Sequence, residues 1–116
     1  MSVSSTWWGS KNCYSTDEQV VGEWIDGKPL YQKSYKFTNL TITDTTSYVA
    51  DISALHIAFG MVTSFVCDVS GYFESDGFFV CWLRVPNNNI GIRRLNTGSD
   101  SGVILYVTIQ YTKTTD

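Results

Sequence analysis

Residues 103–111 read Val-Ile-Leu-Tyr-Val-Thr-Ile-Gln-Tyr and carry the plainest structural signal in the chain. Val103, Leu105, Val107, Ile109 and Tyr111 alternate with Ile104, Tyr106, Thr108 and Gln110. Side chains of a strand point to opposite faces at successive positions, so an apolar residue at every second place is a strand period. Polar groups enter the second face only at Thr108 and Gln110. The first half of this strand is therefore expected to be covered on both sides.

The same period recurs upstream. Residues 19–25 read as a short strand, followed by Asp26-Gly27, a pair suited to a hairpin turn. Residues 31–37 alternate again, with Tyr31, Lys33, Tyr35 and Phe37 on one side. Pro29 lacks an N–H and fits only a strand start or an edge. Further strands are expected at 40–43, 48–52, 61–72, 78–85 and 90–95, with turn-forming residues at 44–47, 75–77, 86–89 and 96–102 between them. Residues 52–59 carry a short helical turn, with Ser53 as its candidate N-cap. Thr, Val and aromatics are frequent while Ala and Leu are scarce, which favours strands over helices. Strands at this spacing indicate a sandwich or barrel. The expected architecture is all-β: an antiparallel, jelly-roll-like β-sandwich of about seven to nine strands. The 116 residues suffice for one domain, 1–116, with residues 1–14 as an N-terminal arm.

Charge narrows the function classes. Only 16% of residues are charged and the net charge is −3, with the eight basic residues scattered and Arg93-Arg94 their tightest grouping. Binding phosphates needs a concentrated basic face, so no nucleic-acid partner is expected. No apolar run approaches the roughly 20 residues that span a bilayer, so no membrane insertion is expected. The Ser-rich start lacks the basic-then-apolar layout of a signal peptide. Cys13, Cys67 and Cys81 make an odd count, which points to free thiols and synthesis in a reducing cytosol. A Cys67–Cys81 bridge between paired strands would be the exception. A surface with so few charges must be built from Ser, Thr, Asn and aromatics, which suits packing against other copies or against sugars.

Candidate chemistry is sparse. Sugar hydrolysis needs two carboxylates flanking the bond, and Glu23 with Asp26 or Glu74 with Asp76 are the available pairs. Both pairs adjoin turns, where acidic residues serve solvation and backbone capping. His56 is the sole histidine; it stands between Leu55 and Ile57 with no neighbouring Cys or carboxylate cluster, and reads as a structural residue. No phosphate-cradling glycine motif is present. No enzyme activity, cofactor or metal site is expected. The aromatics carry more: Trp7, Trp8 and Tyr14 lie in a polar stretch without strand period. Exposed Trp and Tyr serve interfaces and sugar platforms, and the alternative is that Trp7 and Trp8 dock on their own domain or a neighbouring chain. Trp24 and Trp82 lie in strand-like runs and are expected in the core.

Two segments carry a resemblance. Residues 14–31, YSTDEQVVGEWIDGKPLY, resemble a recurring opening motif of fibre-tip domains in bacteriophage structural proteins, and residues 107–116, VTIQYTKTTD, are similar to the closing strand of the same domains. Together they span about a quarter of the chain. The order of VVG, W-I-DGKP and LY is the specific part. Its physics is architectural: Val20 and Trp24 packing inward, Gly22 at a close approach or bulge, Asp26-Gly27 at the turn, Pro29 at the return strand. The resemblance implies the C-terminal tip domain of a phage tail fibre, head fibre or receptor-binding protein, without the shaft that precedes such tips. It implies a homotrimer located on the virion, which attaches to a host cell-surface glycan. The ligand-binding residues are then expected among Trp7, Trp8, Tyr72, Glu74, Asp76, Asn87, Asn88 and Asn89, on the loops 72–77 and 87–89, with 96–101 beside them. A trimerising or capsid-decorating domain without a receptor is the second expectation, with Ile104 and Tyr106 as its inter-subunit contact. A free carbohydrate-binding module or depolymerase is the third.

Overall fold

A computed structural model describes residues 14–75, 77–85 and 88–116 of the chain. The 103–111 alternation lies at the centre of it. Among the described residues eight strands form: β1 (Gln19–Glu23), β2 (Pro29–Thr43), β3 (Ser47–Asp51), β4 (Ile57–Val69), β5 (Tyr72–Glu74), β6 (Phe79–Arg84), β7 (Asn89–Arg94) and β8 (Ser99–Lys113). They make two antiparallel sheets, a large one in the order β1-β2-β8-β4-β5 and a small one in the order β3-β7-β6. The fold is an all-β sandwich. A 3-10 turn, Ser53–Leu55, stands where the helical turn was expected. Its first N–H, from Ser53, is taken by Asp51 Oδ1 at 2.9 Å, so Asp51 and not the Ser53 hydroxyl does the capping.

β8 is the middle strand of the large sheet, and Val103, Leu105, Val107, Ile109 and Tyr111 are all buried. They pack with Ile42, Ile57 and Cys67 of their own sheet and with Phe79, Ile90 and Ile92 of the small one. Each such side chain contributes about 1.5–3 kcal/mol on full burial. Gly60 of β4 has no side chain where a Cβ would overlap Leu83 of β6, which lets the two sheets close together.

Several boundaries differ from expectation for identifiable reasons. The strands expected at 31–37 and 40–43 are one strand, β2, with an irregularity between Phe37 and Leu40 where Asn39 takes φ 57°. The strand expected at 61–72 starts earlier, at Ile57, and breaks at Ser70-Gly71. Those two residues take φ 53° and 91°, the geometry of a two-residue hairpin turn. Trp24 and Trp82 are only half-buried and lie outside the core cluster. Trp24 sits after β1 and stacks on Phe59 with ring centroids 4.5 Å apart. Trp82 lies against Gly91, its direct partner in β7, where a Cβ would come within 2.6 Å of the indole. Nor is the early half of β8 covered on both sides: Ile104 is half-buried and Tyr106 is 38% exposed. Cys67 and Cys81 are free thiols, without a bridge between them, and Cys13 lies outside the described residues.

The antiparallel order sorts the loops to two ends. The turns at 44–46, 70–71, 77–78 and 95–98 lie at one end, and the β1–β2 turn, the 3-10 turn, Val85 and Asn88 beside β6 and β7, and the C-terminus lie at the other.

Candidate functional site

The register of β2, β8 and β4 lines up three rows on the outer face of the large sheet, the face turned away from the small one. Lys36, Tyr106 and Val66 form the first, Ser34, Thr108 and Ser64 the second, and Gln32, Gln110 and Met61 the third. Strand geometry spaces neighbours within a row by about 4.8 Å and successive rows by about 7 Å. The rows therefore pass from a cation beside an aromatic ring, through hydroxyls, to amides. Within them Ser34 Oγ and Thr108 Oγ1 are 2.7 Å apart, and Gln110 Nε2 donates to Gln32 Oε1 at 2.9 Å. The Thr63 hydroxyl, at a bulge of β4, donates to the carbonyl of Thr108 at 3.1 Å. These bonds hold the polar side chains in single orientations at the bottom of a groove.

The groove has two adjoining hollows that share Tyr14 and Ser64 as walls. One, of about 390 Å³, is apolar and is lined by Tyr106, Val66 and Thr108 with Lys36 and Thr16. The other, of about 440 Å³, is lined by Gln32, Gln110, Thr63, Val21 and Leu30. Tyr14 is 74% exposed and stands where the hollows meet.

The wall formed by residues 14–18 is tied down at two points. The carbonyl of Ser15 accepts the N–H of Ser34 at 2.8 Å, which runs this segment along β2. Glu18 then accepts the hydroxyl of Tyr111 and, at 2.8 Å, the ammonium of Lys113. Burial pushes the Glu18 carboxyl up, but the hydrogen bonds from Lys113 and Tyr111, with the Lys113 and Lys33 charges, outweigh it and hold its pKa below the ordinary value. Burial and the Glu18 carboxylate both push the Tyr111 phenol above its ordinary range. Tyr35, buried near the same carboxylate, is raised to about 12. Both phenols stay neutral at physiological pH, and that of Tyr111 donates to Glu18.

Of the residues expected to bind ligand, the described ones stand at two separate places. Trp7, Trp8, Asp76 and Asn87 lie outside the described residues. Tyr72 is exposed at the β4–β5 hairpin, and Glu74 of β5 is half-buried opposite Cys67. Asn88 precedes β7 and Asn89 is its first residue, at the other end of the sandwich. Asn88 adopts φ 53°, and its carbonyl accepts the N–H of Ile52 at 2.7 Å. Oriented to suit its surroundings, the Asn89 amide donates to the carbonyls of Ala50 (3.0 Å) and Asn88 (3.2 Å). Both asparagines thus serve their own backbone. Of the carboxylate pairs, Asp26 Oδ1 accepts the N–H of Lys28 at 3.0 Å within the β1–β2 turn. His56 is exposed and takes φ 54°; its carbonyl accepts the N–H of Thr114 at 2.7 Å. Among the described residues no group of His, Cys, Asp and Glu could hold a metal ion. No described helix is long and apolar enough to cross a membrane.

The groove residues had a signal in the chain. Gln32, Ser34 and Lys36 alternate with the apolar series of β2, as Thr108 and Gln110 do in β8. Their convergence depends on β2 and β4 flanking β8, which no local pattern states.

No protein-family model, curated protein or solved structure matches this chain. The resemblance of residues 14–31 and 107–116 to phage fibre tips stays an expectation from the sequence. These segments are neighbours in space: Tyr31 pairs with Tyr111 across β2 and β8, their rings stack at 5.8 Å, and the Tyr31 hydroxyl donates to Asp116 at 2.7 Å.

Proposed function

We propose that this chain is a non-catalytic phage fibre-tip domain that holds a stretch of host-surface polysaccharide during adsorption. The observation carrying the reading is the groove in which Tyr14 and Tyr106 adjoin rows of hydroxyls and amides. A sugar offers an apolar ring face and a rim of hydroxyls, and it is bound by an aromatic surface with fixed donors and acceptors beside it. The groove combines both at the spacing of a sheet. The sparse charge and the two end segments point the same way.

The test is binding of labelled protein to encapsulated host cells and their acapsular counterparts, with calorimetry on the purified polysaccharide. Wild-type protein binds only where polysaccharide is present, and Tyr106→Ala and Gln110→Ala each weaken it about tenfold, the usual loss for an anchoring contact. Binding that ignores both substitutions, or that ignores the polysaccharide, overturns the reading.

One observation favours a structural alternative. Ile104, Tyr106 and Val66 place apolar groups side by side on the uncovered face, which suits a contact between subunits of a trimer. Light scattering after size exclusion separates the two: a trimer that Tyr106→Arg dissociates supports the structural role.

A further inference from the structure

We infer that the groove selects an acidic polysaccharide, with a sugar carboxylate held by Lys36 while the sugar ring rests on Tyr106; this rests on the glycan-binding reading above. Lys36 is exposed at the apolar hollow, and its ammonium lies 5.6 Å from the centre of the Tyr106 ring. The molecule carries net charge −3, and two other cations are paired with its own carboxylates, Lys113 with Glu18 at 2.8 Å and Arg94 with Asp100 at 3.4 Å. Lys36 forms no ion pair among the described residues, and no described carboxylate lines either hollow. The acidic residue of the adjoining row, Asp68, is engaged elsewhere: its Oδ1 accepts the N–H of Gly71 at 2.8 Å. A neutral chain laid across Tyr106 would strip water from an ammonium and return no countercharge, which is unfavourable. A uronate or other acidic sugar supplies the countercharge at the same place. Its carboxylate accepts from Lys36 as its ring covers the phenol, and the hydroxyl and amide rows receive the next sugars along the groove.

Calorimetric titration of the full chain with polygalacturonate, alginate and hyaluronan, each beside its carboxyl-reduced form, tests this. The acidic form binds about twofold to fivefold more tightly than its reduced counterpart, the scale of one solvent-exposed ion pair. The preference shrinks between about 0.01 M and about 1 M salt as the pair is screened. Lys36→Gln removes the preference while leaving the thermal midpoint unchanged, and Lys36→Arg retains it. Equal affinity for acidic and reduced polymers, lost together in Tyr106→Ala, overturns the acidic selectivity and leaves the glycan groove standing. Binding of neither form overturns both.

Discussion

The hydroxyl of Tyr111 donates to the carboxylate of Glu18, joining residues 93 apart in the chain. Glu18 precedes β1 and Tyr111 lies in β8, so this bond fastens the start of the described chain onto the central strand. The same carboxylate takes the ammonium of Lys113, which itself lies over the ring of Tyr31 at 4.7 Å. The segment so fastened carries Tyr14 and Thr16, one wall of the groove.

That bond makes stability depend on pH. The folded Glu18 has a pKa below its unfolded value, despite the opposing effect of burial. A depressed carboxyl pKa contributes stability above the unfolded pKa, which is lost as pH falls through the folded one. We expect the unfolding midpoint of wild-type protein to drop more than that of Glu18→Gln between about pH 5 and about pH 3. Parallel curves for the two proteins in a denaturant series would show that Glu18 is not linked to folding. Tyr111→Phe should cost about 1 kcal/mol at neutral pH, the net worth of one hydrogen bond.

Trp82 and Gly91 test the outer side of the small sheet. A Cβ at Gly91 would meet three indole atoms of Trp82 at 2.6–2.8 Å, and a rigid ring has little room to yield. Gly91→Ala should therefore destabilise by about 1–3 kcal/mol, the cost of overpacking. Chemical denaturation reads the loss, and Gly91→Ala in a Trp82→Leu background should show most of it relieved.

The β4–β5 hairpin provides a case with opposite signs. Ser70 and Gly71 both have positive φ, and Ser is a poor choice for the first of these positions. Ser70→Asn should raise stability by a few tenths of a kcal/mol, and Ser70→Val should lower it by about 1–2 kcal/mol. Thermal melts of the two variants check the pair, and a stabilising Val would refute the turn geometry.

The thiols of the core should be silent in the native state. Burial pushes Cys67 and Cys81 up to about 12, with the Glu74 and Asp100 carboxylates adding to the rise at Cys67. Thiolate is the reactive form, so alkylation at about pH 8 should be slow for both. In a Cys13→Ser background, mass spectrometry should find neither modified before unfolding and both modified in denaturant. Rapid native labelling at either would contradict the packing.

Much of the fold could be read locally. The alternation of residues 103–111 placed a buried strand whose five inward residues are all core, Pro29 marked the start of β2, and Asp26-Gly27 marked a turn. The joined strand β2 and the break at Ser70-Gly71 were harder, because a bulge and a Ser in positive φ leave no clear compositional trace. The tryptophans were misplaced because a strand period reports a face without saying whether another layer covers it.

The candidate site divides along the same line. Period and composition alone set the class, the central strand and the polar alternation of Gln32, Ser34 and Lys36 against Thr108 and Gln110. The expected binding residues lie on the loops 72–77 and 87–89, and strand order decides which of them meet: Glu74 and Asn88 stand near opposite ends of the sandwich. Their separation and the three rows of the groove follow from β8 pairing with β2 on one side and β4 on the other. Those pairings join residues tens of positions apart, and the order they make sets the apolar faces of all three strands on one side of the sheet.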